Sequence, residues 1–336
     1  MIRSFLACVC LTFVVVSCDT SSRTDYLPRN SGNPGEIIVV APTEIWNLSV
    51  ADVVRAELNE EIYGLPQSER LFHCVEVKQV GFKDLFKTHR NIIQIVVDKS
   101  NEPKVSIKKD VYARQQVLAT IRIRTLNDLE NLIKEHAHQL LWYFHNEEIS
   151  RLVERNKDFG SEEFNTTVSQ MTDLDIVMQK DFELAVTDKD FVWLRLDREK
   201  PIGGYQHQMS QGIMIYHRPY SDTSQFSDSS LIAWKNQVNK QFVEGPQNSH
   251  MTVSDRFILP QVEAITFQES AAREIRGLWR MEGYFMGGPF YALSFYNAEN
   301  KMQYMVEGYV YAPQFNKLDM IREIEAMVKS VVPVQH

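Results

Sequence analysis

The sequence predicts an α+β fold, two units of antiparallel sheet packed with helices. Two observations carry that expectation. The first half reads as a strand, a helix, three strands and a long helix, and the second as a run of strands broken by a helix and closed by another. Strands and helices therefore mix without the regular alternation that a doubly wound parallel sheet imposes. At 336 residues, the chain is long enough to bury a sizeable core and to divide into two domains.

Glu36–Ala41 is a continuous apolar run of strand length, and Ser49-Val-Ala-Asp52 has the spacing of a capping box. The helix it opens presents Val50, Val54 and Leu58 and stops near Gly64 and Pro66. Strands are predicted at Leu71–Val77, Asn91–Val97 and Gln115–Ile123. A long helix follows, because Leu126, Leu129, Ile133, Leu140, Leu141, Phe144 and Leu152 recur at three- and four-residue spacing.

The polar section Glu154–Asn165 marks the boundary, giving an N-terminal domain over 35–157 and a C-terminal domain over 158–336. The second offers strands at Phe182–Val186, Phe191–Leu196 and Gln211–Tyr216, the last two split by a Gly/Gln/His-rich loop over Gly203–Ser210. A helix bearing Leu231, Val238 and Phe242 comes next, then strands near Ala264–Gln268 and Arg273–Met281. A hairpin pairs Phe290–Phe295 with Gln303–Tyr311 across the turn at Asn297–Lys301, and Leu318 to Val331 mark a closing helix.

Residues 1–17 have the layout of a secretory signal peptide: Arg3, an apolar core from Phe5 to Val16, and Ser17. That core is too short to span a bilayer as a helix. Val15-Val16-Ser17-Cys18 resembles a bacterial lipobox, which implies lipidation of Cys18 and anchorage to a membrane; several acyl chains on one residue hold firmly, at about 0.8 kcal/mol per buried methylene. Residues 18–34, rich in Ser, Thr, Asn, Gly and Pro, read as a flexible tether. Of the four cysteines, Cys8 and Cys10 lie in the signal and Cys18 in the anchor. Cys74 then has no disulfide partner and reads as a buried structural thiol. The net charge of −8, without a dense basic patch, argues against nucleic acid as a partner.

Two segments stand out chemically. Paired glycines before a proline in Phe285-Met-Gly-Gly-Pro-Phe290 allow close backbone approach, so Gly287 and Gly288, with Arg276 and Trp279 nearby, read either as a rigid binding loop or as a tight connection into a hairpin. Lys87, His89 and Arg90, just before an apolar strand, read either as an anion-holding cluster or as a polar turn. His138 and His145 share a helix face but are two turns apart, a poor metal spacing, and no metal or cofactor is expected. A Gly-X-Ser-X-Gly elbow and a dinucleotide fingerprint are both missing from the sequence. The pairs Glu147-Glu148 and Glu162-Glu163 read as solvated faces.

Several phrases, among them Gly35-Glu-Ile-Ile-Val-Val40, Asp190-Phe-Val-Trp-Leu-Arg195, Arg276-Gly-Leu-Trp279 and Val306-Glu-Gly-Tyr-Val-Tyr-Ala-Pro313, together resemble the domain of unknown function 4837 family of Bacteroidota lipoproteins, over about Tyr26 to Val331. The element order of the second unit is similar to PsbP-like lipoprotein domains. The first resemblance implies an outer-membrane lipoprotein. No catalytic residue follows from it. Thr20-Ser21-Ser22-Arg23 lacks the acidic cluster that resembles a surface-export signal, which points to the periplasmic face. The expected function is a non-enzymatic binding or assembly factor of the envelope, with an envelope protein or glycan as partner. The alternatives are an envelope enzyme acting on peptidoglycan or glycan, and a small-ligand carrier.

Overall fold

A computed structural model describes residues 26–334. The signal peptide, Cys18 and the first part of the tether lie outside the described residues. The first half comprises β1 (Glu36–Ala41), α1 (Thr43–Trp46), α2 (Val50–Glu57), β2 (His73–Lys78), β3 (Asn91–Val97), β4 (Lys104–Lys109), β5 (Val117–Ile123) and α3 (Leu126–Phe159). The second comprises α4 (Asn165–Thr172), β6 (Leu174–Asp175), β7 (Glu183–Asp188), β8 (Phe191–Ile202), β9 (Tyr205–Pro219), α5 (Asp228–Phe242), β10 (Glu244–Gly245), β11 (Ser249–Val253), β12 (Gln261–Phe267), β13 (Ser270–Glu282), β14 (Gly287–Asn297), β15 (Met302–Tyr311), α6 (Leu318–Lys329) and β16 (Val332–Pro333).

The α+β class holds, with one correction to strand direction. The nine-stranded second sheet, in the order β10-β11-β13-β14-β15-β9-β8-β7 with β12 on β13, is antiparallel throughout. In the five-stranded first sheet, β2-β1-β3-β5-β4, three of the pairings are parallel and only β4 runs antiparallel to its neighbour. The cause is visible in β1 and β3, whose residues are buried on both faces, as crossover-connected parallel strands are.

Side-chain alternation in the second sheet supplies two cores. Val192 and Leu194, Ile213 and Ile215, and Leu293 and Phe295 face one cluster; Phe191, Trp193, Met214, Tyr216 and Phe290 face the other, against α5. The first cluster is shared by both halves, running from Ile37 through Phe144 of α3 to Val328 of α6. Full burial of each such side chain contributes roughly 1.5–3 kcal/mol.

α3 starts where a capping box forms: Thr125 Oγ1 accepts from Asp128 N at 3.3 Å, and Asp128 Oδ2 accepts from Thr125 N at 2.7 Å. The box predicted at Ser49 does not form, because Ser49 itself is helical and its side chain caps nothing. α3 runs through most of the predicted boundary to Phe159. It ends at Gly160, where a Cβ would lie 2.2 Å from Asn156 O and Met178 O. The tether also ends earlier than Gly35: Arg114 N donates to Pro28 O, Ser31 N to Thr88 O and Arg90 N to Ser31 O, each at 2.9 Å. The loop expected at Gly203–Ser210 is instead a two-residue turn, the positive-φ pair Gly203 and Gly204, followed by the first residues of β9, which pair with the end of β8.

α6 joins the halves. Its first-turn amides on Lys317 and Leu318 are capped by Glu69 of the first half, at 2.7 and 3.0 Å, an arrangement that the helix dipole favours. Arg322 donates to Leu71 O, and Glu325 reaches His145 of α3.

Candidate functional site

A cleft of about 710 Å³ opens between the two halves. From the first half, α3 presents His138, Trp142 and Asn146, spaced by four and therefore on one helix face. Glu60 stands beside them, its carboxylate accepting from His138 Nδ1 at 2.9 Å and from Trp142 Nε1 at 2.8 Å. From the second half, β12 lines the cleft with Gln261, Glu263, Ile265 and Phe267, alternate residues of one strand face. Tyr63 closes one side and donates its hydroxyl to Leu259 O at 2.7 Å.

The floor is a buried charge network. Arg276 Nε donates to Glu274 Oε1 at 2.9 Å, and its Nη2 is ion-paired with Glu325 Oε1 at 2.8 Å. Lys329 Nζ donates to Glu325 Oε1 at 2.7 Å and faces Glu274 at 3.4 Å; Tyr291 donates to Glu274 Oε2 at 2.7 Å. Arg276 also lies over the rings of Tyr291 and Trp142, at 4.6 and 5.4 Å. Burial works against each charge here. The neighbouring cations Arg276 and Lys329 outweigh it and hold the Glu325 carboxyl well below its ordinary range. Glu325 and Glu274 likewise outweigh burial and raise Lys329 and Arg276. His145 goes the other way, because burial lowers its pKa more than Glu325 raises it. Its ring is then neutral with the proton on Nε2, since a carboxylate can only accept, and Nδ1 is left without a partner.

Arg276, singled out in the sequence, thus sits in the cleft floor but is committed to internal carboxylates. Trp279 and Gly288 lie elsewhere, around a groove of about 700 Å³ that is edged by the exposed rings of Phe257 and Phe285. Trp279 is buried and donates to Val310 O at 3.2 Å. A Cβ on Gly288 would fall 2.0 Å from Val310 O, and one on Gly287 2.7 Å from Trp279 O, so both glycines serve close strand approach. Both open β14, paired with Arg280 and Trp279 of β13, and both also line the groove.

The cluster at 87–90 separates. His89 is buried, with Nε2 against Glu36 at 3.1 Å and Nδ1 against Asn91 O at 3.0 Å. Arg90 pairs with Glu148 at 2.8 Å, a carboxylate shared with Arg151 and Asn91. Glu148 is therefore buried and not solvated, a correction. Lys87 remains exposed, over the Tyr112 ring at 5.8 Å. His138 and His145 each face a carboxylate, and among the described residues no group of three or more His, Cys, Asp or Glu is arranged to hold a metal ion. Nor, among them, is any helix long and apolar enough to cross a membrane.

Comparison with known families matches residues 161–330, half of the chain, to the family described as Domain of unknown function (DUF4837). The chain belongs to the DUF4837 family. Residues 30–157 match a second one, Domain of unknown function (DUF8532). The DUF4837 match is thus narrower than the Tyr26–Val331 resemblance and covers one wall and most of the floor of the cleft, while the DUF8532 match carries Glu60 and α3. No curated protein matches the sequence.

Most of the cleft lies outside the residues that the sequence singles out. Two periodic signals were available: the spacing of His138, Trp142 and Asn146, and the alternation of Gln261, Glu263 and Ile265.

Proposed function

We propose that this DUF4837 protein is an envelope lipoprotein, anchored through Cys18 in the outer membrane and facing the periplasm, that binds a hydroxyl-rich ligand in the cleft between its halves. The ligand class is a glycan or glycopeptide of the envelope. The cleft carries the reading. Partly exposed rings of Tyr63 and Trp142 offer faces for sugar stacking, and Asn146, Gln261, Glu61 and Glu263 offer the donors and acceptors that fix orientation. The deeper charges are balanced among themselves, so they hold the cleft in shape. The apolar run before Cys18 and the small residue Ser17 support the anchor.

Calorimetric titration of the protein with soluble peptidoglycan fragments and with neutral chito-oligosaccharides tests the ligand class. Saturable binding that weakens in Gln261→Ala and Asn146→Ala is expected, and equal affinity of both variants contradicts the reading. Separately, Cys18→Ser is expected to release the protein from the membrane fraction, and unchanged retention contradicts the anchor. An enzyme acting on the same ligand is the second reading, favoured by carboxylates on both walls, Glu60 and Glu263. Product release from the fragments that is lost in Glu60→Gln or Glu263→Gln would establish it.

A further inference from the structure

We propose that a cavity of about 370 Å³, where the N-terminal segment joins the first sheet, is a binding site for phosphate groups. Arg29, Arg114 and Arg155 line it together, in a chain whose net charge is −8. Such a local accumulation of arginines runs against the overall composition. Arg29 and Arg114 are neighbours in an isolated parallel bridge, and among the described residues neither guanidinium has a partner. Arg155 has only long contacts, to Glu323 at 3.8 Å and Asn156 at 3.4 Å.

The fourth arginine of the cavity, Arg151, is buried and spent on Glu148 and Asn91, so it does not count toward the ligand. Of the two carboxylates on the rim, Glu154 is taken by Lys157 at 2.9 Å, and Asp158 opposes the arginines. The two free guanidinium groups hang from fixed backbone, since Asn30 Nδ2 donates to Arg114 O at 2.8 Å and Arg114 N to Pro28 O at 2.9 Å. Guanidinium groups on a preorganised seat match the bidentate geometry of phosphate oxygens. Phe159 at the mouth, 69 % exposed, adds an apolar face for the carbon next to a phosphoester. The eleven peptide steps from Cys18 to Arg29 reach at most about 40 Å. On the anchor reading, this face lies within reach of a phospholipid surface; the phosphate site itself does not depend on that reading.

The test uses the full chain in micelles of an uncharged detergent. Calorimetric titrations are run with inorganic pyrophosphate, with dihexanoyl-phosphatidylglycerol and with dihexanoyl-phosphatidylcholine. Saturable binding of at least one probe is expected, weakened by salt, with roughly a tenfold or greater loss in Arg29→Ala/Arg114→Ala, as removal of charge-assisted hydrogen bonds predicts. Asp158→Asn, which removes the opposing charge, is expected to tighten binding severalfold. Tighter binding of either lipid than of pyrophosphate assigns a headgroup as the ligand, and the reverse assigns free phosphate. No binding of any probe, or equal affinity in the double variant with an unchanged unfolding midpoint, overturns the proposal. The cleft variants leave this cavity untouched, so either result can fail without the other.

Discussion

His145 of α3 and Glu325 of α6, 180 residues apart in sequence, meet at 2.9 Å with both side chains fully buried. The contact belongs to neither half alone. It ties the long helix of the first unit to the closing helix of the second and anchors the charge network under the cleft. Glu325→Gln leaves Arg276 and Lys329 to share Glu274. Removing one partner from a buried network costs about 3–5 kcal/mol, so a urea midpoint close to wild type would contradict the assignment of Glu325 as the centre of the network.

The same pair sets a pH dependence. Both folded pKa values are depressed, His145 by burial and Glu325 by its cation neighbours prevailing over burial. Between the folded and unfolded values the unfolded chain binds the extra proton, so stability falls as pH falls. The loss begins below about pH 6.5 for His145 and below about 4.5 for Glu325, the unfolded values. Both contributions are fully present at pH 8. His145→Gln, which retains a donor to Glu325, is expected to flatten the decline between pH 7 and 5.5 in denaturant titrations; an unaltered slope would contradict a neutral buried imidazole.

The second core holds its own ion pair. Lys235 of α5 donates to Glu307 of β15, both about 1 % exposed, with Tyr216 donating to Glu307 at 3.1 Å. Burial lowers the Lys235 pKa more than Glu307 restores it. Glu307→Leu alone is expected to cost about 3–5 kcal/mol, whereas Lys235→Met/Glu307→Leu recovers much of it, because a well-packed apolar pair replaces two desolvated charges. Denaturant midpoints of wild type, Glu307→Leu and the double variant check this, and a double variant no more stable than Glu307→Leu would contradict it.

Glycine substitutions separate close approach from free space. Gly288→Ala drives a methyl group to 2.0 Å from Val310 O and is expected to lower the melting temperature markedly, while Gly81→Ala has no atom within 4 Å and is expected to change it little. Equal melting temperatures would contradict the role given to Gly288.

Cys74, expected from sequence to be buried, is half-buried and lines an open cavity, yet its thiol is expected to be inert. Burial pushes its thiol up to about 12, with Arg70 opposing, and Sγ sits 3.9 Å from Leu58 O. Peptide mapping after native iodoacetamide treatment at pH 7.5 should find Cys74 unmodified, becoming alkylated only in denaturant. Rapid native alkylation would show an exposed thiolate instead.

Several elements were legible from local pattern. The apolar stripe from Leu129 to Phe144 announced α3, Asn91–Val97 matched β3, and the β14–β15 hairpin followed from its turn. Parallel pairing in the first sheet was not, because direction depends on which strands the crossovers bring together, although the unbroken apolar run Ile37–Ala41 is what a strand covered on both faces carries. The start of β9 reads as loop in the sequence because both its faces meet water and no apolar alternation marks it. Arg276 was visible as a candidate, but its role was not. Its partner Glu325 comes from a helix that only the fold brings to β13, and that partner turns a free cation into part of a floor.

Hydrogen–deuterium exchange of the full protein, with and without saturating peptidoglycan fragments, is the decisive measurement for glycan binding in the cleft between the halves. Added protection is expected in residues 60–63 and 261–267, the two edges of the cleft, with the aromatic loops at 255–259 and 283–288 unchanged. Protection confined to those loops, or none at all under conditions where the fragments bind, would contradict it.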